Sequence, residues 1–261
     1  MARLRVDRFH DRFNNYQQTA FSPKFGVVYQ LLKDQVSVFG NWQNGFKNVA
    51  PSSLATNASL EVKPEQANQL EGGVKFEVLN KKINGTVSYY NIKVKDKVRS
   101  VFDSNNVLYA IQDGTQVSRG LEFDLIANPV RGLHMIFGYG YNDSKFEKVG
   151  ANQSAIEGKR PTGVPKNSAN YWASYKFMQG ALQNFGIGFG GNVSSSYYFN
   201  DTNTVKINGF STVDLALFYE QPSYRVGVKI NNLNNQKYWT ATSWAIQQQT
   251  RTILANVSFN F

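Results

Sequence analysis

The chain has 261 residues, with 28 Lys and Arg against 18 Asp and Glu, a formal net charge of +10 and no cysteine. The lack of cysteine excludes disulfides and thiolate metal sites, and no apolar run reaches the roughly 18 residues of a transmembrane helix. The basic residues are interspersed with Asp, Glu and Asn and carry no nucleic-acid-binding motif, so nucleic acid is not expected as a partner.

Segments along the whole chain alternate between an apolar and a polar face, which is the pattern of half-exposed β-strands. In chain order, the apolar faces are Val74, Phe76 and Val78; Leu121, Phe123 and Leu125; Phe185, Ile187, Phe189 and Val193; Val213, Leu215, Leu217 and Tyr219; Val226, Val228 and Ile230; and Ile253, Ala255, Val257, Phe259 and Phe261. The opposite faces carry the charged residues Glu71, Lys75, Glu77, Glu122, Asp124, Arg225 and Lys229. These alternations predict an all-β fold.

The connections between these segments alternate between short and long. Short links are predicted near residues 32–34, 80–82, 128–131, 178–183 and 220–223, and long links near 10–21, 47–65, 95–114, 143–167, 197–208 and 232–248. Outer-membrane barrels have this asymmetry, with short periplasmic turns and long extracellular loops. We therefore predict an antiparallel transmembrane β-barrel of about 12 strands, in one domain over residues 1–261. Because lipid cannot pair backbone groups, the strands must close on themselves or belong to a larger ring.

Candidate catalytic and metal-binding groups are few. The only histidines are His10 and His134, and neither lies in a spacing typical of metal ligands or of a hydrolase triad. His134 falls on the polar face, where a hydrogen bond inside the barrel is favoured over a catalytic role. The charges on the same face are interpreted as pairs across strands or against a plug, with a transport path as the alternative. We predict no catalytic residue, no metal site and no cofactor.

A basic stripe at Lys93, Lys95, Lys97 and Arg99 repeats with period two on the face that carries Val87 and Tyr89. If the strand continues without a bulge, this stripe points outward, where lipopolysaccharide phosphates would bind it. A solvated loop base is the alternative.

Five segments of this sequence, taken together and in order, resemble TonB-dependent receptors, in particular the ferrichrome-type siderophore receptors. They are FSPKFGVVYQ at 21–30, EVKPEQANQLEGGVK at 61–75, SRGLEFD at 118–124, PTGVPKN at 161–167 and VGVKINNLNNQKY at 226–238. The resemblance implies the C-terminal part of a barrel of about 22 strands in the outer membrane of a Gram-negative bacterium. The export signal, the plug domain with its TonB box and the first barrel strands are then expected outside this chain.

The resemblance further implies uptake of a ferric siderophore, energised by the periplasmic TonB complex. The siderophore is cargo and not a resident cofactor. Two alternatives stay open from the residues alone: a passive porin-like channel, and a self-closed twelve-strand barrel with a binding or enzymatic role.

Two groups of aromatic residues near the C-terminus are candidate functional residues. Trp244 lies at the tip of the last long loop and is predicted to contact the ligand, because aromatic side chains offer broad contact area with few rotatable bonds. Tyr238 and Trp239 are candidates for the same contact or for holding the base of that loop. Phe259 and Phe261 end the last strand, and the resemblance implies that they are the signal read by the barrel assembly machinery; lipid contact is the alternative.

Overall fold

The computed structural model describes residues 1–11, 16–49, 63–102, 108–112, 114–241 and 244–259. Its main element is one antiparallel sheet. Within these ranges the strands are β1 (Ala2–Asp11), β2 (Tyr16–Leu32), β3 (Val36–Lys47), β4 (Glu65–Val78), β5 (Ile83–Lys95), β6 (Val98–Phe102), β7 (Leu108–Gln112), β8 (Thr115–Ala127), β9 (Leu133–Lys148), β10 (Asn167–Lys176), β11 (Phe185–Ser194), β12 (Tyr197–Tyr198), β13 (Lys206–Ile207), β14 (Phe210–Glu220), β15 (Tyr224–Asn231), β16 (Trp239–Ala241), β17 (Ala245–Gln247) and β18 (Thr252–Phe259). A 3₁₀ helix at Ala151–Ile156 follows β9.

The sheet has twelve strands in the described part of the chain, in the order β1-β2-β3-β4-β5-β8-β9-β10-β11-β14-β15-β18. Each strand therefore pairs with its predecessor in the sheet, which confirms the predicted meander and strand number. The other six strands form three small hairpins, β6–β7, β12–β13 and β16–β17, inside long connections. Over the described residues β1 and β18 do not pair with each other, so the sheet is open and the self-closed alternative gains no support. No helix in these ranges has the length and hydropathy of a membrane crossing.

The two faces of the sheet have the polarity that the sequence predicts. Apolar side chains on one face are exposed, including Leu217 at 55%, Val257 at 59% and Ile253 at 67%. Cross-strand partners keep this face continuous, since Leu217 pairs with Val228 and Val228 pairs with Ala255. Exposed apolar surface of this extent is unfavourable in water and favourable against lipid. The polar face lies on the inner, concave side.

The short links are confirmed at 33–35, 79–82, 128–132, 177–184 and 221–223. Left-handed residues reverse the chain there, among them Asp34 with a φ of 56° and Asn80 with a φ of 56°. Asp and Asn tolerate this conformation better than other non-glycine residues.

The first and fourth long links are shorter than predicted. The first, expected at 10–21, is reduced to residues 12–15, which lie outside the described residues, because His10 pairs with Gln17 and the ladder continues to Tyr16. Similarly, β9 continues to Lys148 instead of ending near Asp143. A strand with polar residues on both faces shows no alternation and is therefore missed in the sequence. Its backbone can still pair with the neighbouring strand above the apolar band.

Glycines on the inner face of β11 make room for a tryptophan of β10. The ring of Trp172 lies across Gly188 and Gly190, so that a Cβ at Gly190 would collide with the ring and with the carbonyl oxygen of Tyr171. The carbonyl cannot move without breaking the ladder between these strands, in which Trp172 pairs with Gly190. A large aromatic on a glycine-lined strand is the type of pairing that fixes register in a sheet.

Gly190→Ala should destabilise the folded barrel by about 1–3 kcal/mol, the cost of overpacking against fixed atoms. Gly45→Ala is the matched control, because a Cβ at Gly45 has no atom within 4 Å. Denaturant unfolding of the protein expressed from its native gene, in detergent, measures both. Equal midpoints for the two variants would contradict this account.

Candidate ligand-binding mouth and inner wall

The inner wall at β3 and β4 is a ladder of amide and carboxylate side chains. Glu71 Oε2 accepts hydrogen bonds from Asn41 Nδ2 at 3.2 Å and from Gln69 Nε2 at 3.1 Å. Gln43 Nε2 in turn donates to Gln69 Oε1 at 2.9 Å. The predicted inward position of Glu71 is therefore observed, and its carboxylate is held by one amide on β3 and one on its own strand, β4.

The same wall continues with mixed charge. A concavity of about 780 Å³ is lined by Glu71, Lys75, Glu122 and Asp124, among other residues. Lys75 Nζ lies 5.1 Å from the centre of the Phe39 ring, a distance at which a ring face stabilises a cation. This part of the wall offers both carboxylates and an ammonium group to whatever occupies the lumen.

Aromatic rings support the cations on the wall of the last strands. Arg225 Cζ lies 4.7 Å from the centre of the Phe218 ring, and Lys229 Nζ lies 5.5 Å from the Trp172 ring. Arg225 also pairs with Glu220 at 3.5 Å, and Lys176 reaches the same carboxylate at 3.0 Å. These contacts agree with the interpretation of inward charges as pairs across strands.

His134 makes a local hydrogen bond. Its Nδ1 lies 2.6 Å from Asn128 Oδ1, at the end of the sheet that carries the short links. Among the described residues, no group of three or more His, Asp or Glu side chains is placed to hold a metal ion.

The last long connection, residues 232–251, is anchored at its base by Asn232. This side chain is 4% exposed; its Nδ2 donates to the Gln236 carbonyl at 2.9 Å and its Oδ1 accepts from the Gln236 N–H at 2.9 Å. Its backbone N–H donates to Asp214 Oδ1 at 2.8 Å. The Asn-rich stretch that carries the family resemblance thus fixes where this connection leaves the sheet.

The three predicted ligand-contact residues occupy different environments. Tyr238 is stacked on Phe210 with ring centres 4.1 Å apart. Trp239 opens β16 and is 48% exposed, whereas Trp244, just before β17, is 79% exposed. The ring of Trp244 is therefore available to a ligand, and Tyr238 is occupied in holding the loop base.

Three long connections contact one another, and these contacts were not predicted from the sequence. We name residues 149–166, 195–209 and 232–251 the mouth loops. Asn203 Oδ1 accepts from the Arg160 N–H at 2.9 Å and its Nδ2 donates to the Arg160 carbonyl at 2.7 Å. Tyr197 Oη accepts from the Ala241 N–H at 2.8 Å. The Asx-rich composition near 200–203 indicates a turn, but a partner in another loop cannot be read from it.

The basic stripe ends earlier than the sequence predicts. Asp96 has a φ of 54° and lies after the end of β5 at Lys95, so the alternation stops there. Lys97 Nζ donates to Gln116 Oε1, which shares the face of Glu122, and the side chain of Arg99 lies outside the described residues. The assumption of an uninterrupted strand is therefore wrong, and the outward position is kept by Lys93 and Lys95 on β5.

Lys93 pairs with Glu147 on β9. Both residues lie beyond the apolar band that ends near Tyr89 and Tyr141. The hydrogen bond from Lys93 holds the pKa of the Glu147 carboxyl below its ordinary value. Lys95 is exposed and is the more available cation for an anionic ligand.

The last strand presents Phe259 outward. This residue is 64% exposed and pairs with Tyr224 of β15. Phe261, the other half of the predicted assembly signal, lies outside the described residues.

Comparisons with known proteins give consistent matches. The family model described as TonB dependent receptor-like, beta-barrel matches residues 1–233. The metal-pseudopaline receptor CntO of Pseudomonas aeruginosa is 26% identical over 99% of this chain and 36% of its own length. The ferrichrome outer membrane transporter/phage receptor of Escherichia coli is 24% identical over 92% of this chain and 32% of its own length. The chain thus spans about a third of the length of the curated relatives it matches.

Solved structures share the fold. The siderophore receptor PiuA of Acinetobacter baumannii superposes with a TM-score of 0.81 at 21% identity, over 93% of this chain and 36% of PiuA. BauA, the ferric preacinetobactin receptor of the same species, superposes with a TM-score of 0.76 at 24% identity, over 94% and 37%. An open meander with an exposed apolar face is what a section of such a barrel looks like. The family match over residues 1–233, together with this sheet, shows that the chain belongs to the TonB-dependent receptor-like β-barrel family of the Gram-negative outer membrane.

Proposed function

We propose that this chain forms the C-terminal part of the barrel of a transporter that takes up a ferric siderophore across the outer membrane. The family match over residues 1–233 carries the proposal. The relatives agree with it by name: they are the metal-pseudopaline receptor, the ferrichrome outer membrane transporter/phage receptor and the ferrioxamine B receptor. A plug domain in the remainder of the protein would close the lumen, and the periplasmic TonB complex would supply the energy.

A passive porin-like channel is the competing function, and it would need no plug. The polar ladders and mixed charges of the inner wall suit contact with water as well as with a folded domain, so the family match, and not the wall, favours the transporter. The coding sequence upstream of Met1 decides between the two: a plug domain with a TonB box supports the transporter, and its absence supports the channel.

Within the proposed transporter, Trp244 contacts the ligand at the outer mouth. This residue is 79% exposed and lies just before β17, on the extracellular side of the sheet. Trp239 on the same hairpin is the second candidate, and Tyr238 contributes mainly through its stack on Phe210. Aromatic rings suit a chelate whose surface is broad and partly apolar.

Trp244→Ala should weaken binding of the transported chelate by about 1–2 kcal/mol, the scale of one aromatic contact. Uptake of radioactive iron as ferrichrome or ferrioxamine B, at matched surface levels, is the measurement. Ile246→Ala is the control, because Ile246 is an exposed apolar residue on the same hairpin. Equal uptake by Trp244→Ala and wild type would contradict the proposed contact between Trp244 and the ligand.

We propose that Lys93 and Lys95 bind lipopolysaccharide phosphates at the edge of the apolar band. Lys97 and Arg99 were part of the same predicted stripe, but Lys97 turns toward Gln116, so the proposal is restricted to the first two residues. Lipid and lipopolysaccharide surround the outer face of any outer-membrane barrel.

Lys95→Gln should lower the affinity for lipopolysaccharide about fivefold, since one lysine near an anionic surface contributes about 1 kcal/mol. Lipopolysaccharide that remains bound after purification in detergent is quantified for the variant and for Lys82→Gln, a matched change at the short-link end. If both variants retain the same amount of lipopolysaccharide, Lys95 belongs to a solvated loop base and does not bind lipopolysaccharide.

The C-terminal residues Phe259 and Phe261 are proposed as the signal that the barrel assembly machinery recognises. Deletion of Phe261 from the protein expressed from its native gene should sharply reduce outer-membrane insertion. Leu254→Ala is the control, because Leu254 lies on the opposite face of β18. Membrane fractionation and resistance to denaturation without heating measure insertion. Normal insertion of the deletion variant would contradict the signal and leave lipid contact as the role of Phe261.

A further inference from the structure

The hairpin that carries Trp239 and Trp244 is too small to fix its own position. Its ladder has three pairs, Trp239 with Gln247, Thr240 with Ile246 and Ala241 with Ala245, extended by one hydrogen bond from the Gln248 N–H to the Tyr238 carbonyl at 3.0 Å. An isolated two-stranded hairpin is at best marginally stable. Contacts outside the hairpin must therefore define where the two tryptophan rings lie.

Tyr197 provides the buried contact. It is 6% exposed, and its hydroxyl oxygen accepts the N–H of Ala241, which is 4% exposed, at 2.8 Å. A buried backbone N–H needs a partner, and here the partner comes from a different loop. The bond joins β12, in the connection 195–209, to the strand of the hairpin that bears Trp239.

A second set of bonds joins the connection 195–209 to the connection 149–166. Besides the two bonds between Asn203 and Arg160, Asp201 Oδ1 accepts from the Thr162 N–H at 2.9 Å. The Arg160 guanidinium also lies 5.8 Å from the centre of the Tyr198 ring. These bonds end on backbone atoms, so they fix the path of the loop and not merely a side-chain rotamer.

We propose that Tyr197 is a positioning residue that sets the aromatic hairpin against the other two mouth loops, so that all three form one preformed wall of the ligand site. Tyr197 itself, with its hydroxyl buried on Ala241, does not need to touch the ligand. The part of this inference that concerns ligand affinity rests on the proposed function; the part that concerns the loops does not.

The loop part is tested by the distance between two nitroxide labels, at Lys206→Cys and Gln247→Cys. Both side chains are exposed, one on each side of the Tyr197 contact, and the chain has no cysteine of its own. Tyr197→Phe removes only the hydroxyl and should broaden the distance distribution. Tyr198→Phe is the matched control, because it keeps the ring and the carbonyl of residue 198. The Tyr198 hydroxyl that it removes has no hydrogen bond to any described residue, so the distance distribution should stay as narrow as in the wild type.

Amide hydrogen exchange gives an independent measurement on the unmodified protein. The Ala241 amide should be protected in the wild type and should exchange faster in Tyr197→Phe. An unprotected Ala241 amide in the wild type, or identical distance distributions in Tyr197→Phe and wild type, would overturn the inference whether or not the protein transports siderophores.

The affinity part is tested by uptake of ferrichrome and ferrioxamine B. Tyr197→Phe should raise the concentration for half-maximal uptake about tenfold, the scale of one unsatisfied buried donor, with the maximal rate and the surface level unchanged. A lower maximal rate with an unchanged half-maximal concentration would contradict positioning. If Trp244→Ala has no effect while Tyr197→Phe broadens the label distances, the ligand contact fails and the loop inference stands.

Discussion

A backbone that crosses lipid must pair every N–H and C=O group within the protein, and the rest of this structure depends on that constraint. It explains why each strand pairs with its neighbour in the chain and why the sheet runs through twelve strands without an interruption. It also explains why the register shifts of the described ladder lie near strand ends, at Gln30/Leu32 and at Thr115/Gln116. The two outer edges, on β1 and β18, need partners in the membrane as well, and the larger barrel of the receptor family provides a geometry for them.

The same environment reverses the usual distribution of side chains. Leu217, Val228 and Val257 are exposed because lipid is their solvent, while the concave side collects amides, hydroxyls and charges. Wall charges are not isolated, since Glu71 is held by two amides and Arg225 lies over a ring and beside a carboxylate. These wall charges have partners within the sheet, and the wall is still polar enough to face a plug or water.

The mouth loops follow a different principle. Above the membrane, water can pair the backbone, so loops need no ladder and are held by individual bonds. Asn203, Asp201 and Tyr197 supply these bonds through side chains that end on the backbone of another loop. A few buried polar contacts thus determine where exposed aromatic rings such as Trp244 are presented.

The amino-acid sequence by itself determined the strands, their number, their two faces and the alternation of short and long links, because side-chain alternation is a local property of each strand. It also identified the family, through motifs that lie on strands and at loop bases. It failed where the local pattern is silent: both faces of β2 are polar near Gln17, and one left-handed residue, Asp96, ends the basic stripe. Only the tertiary structure decided that Tyr197 meets Ala241 and that Asn203 meets Arg160, since each of these pairs joins loops more than 40 residues apart in the chain, and the meeting depends on how neighbouring strands place their loops in space.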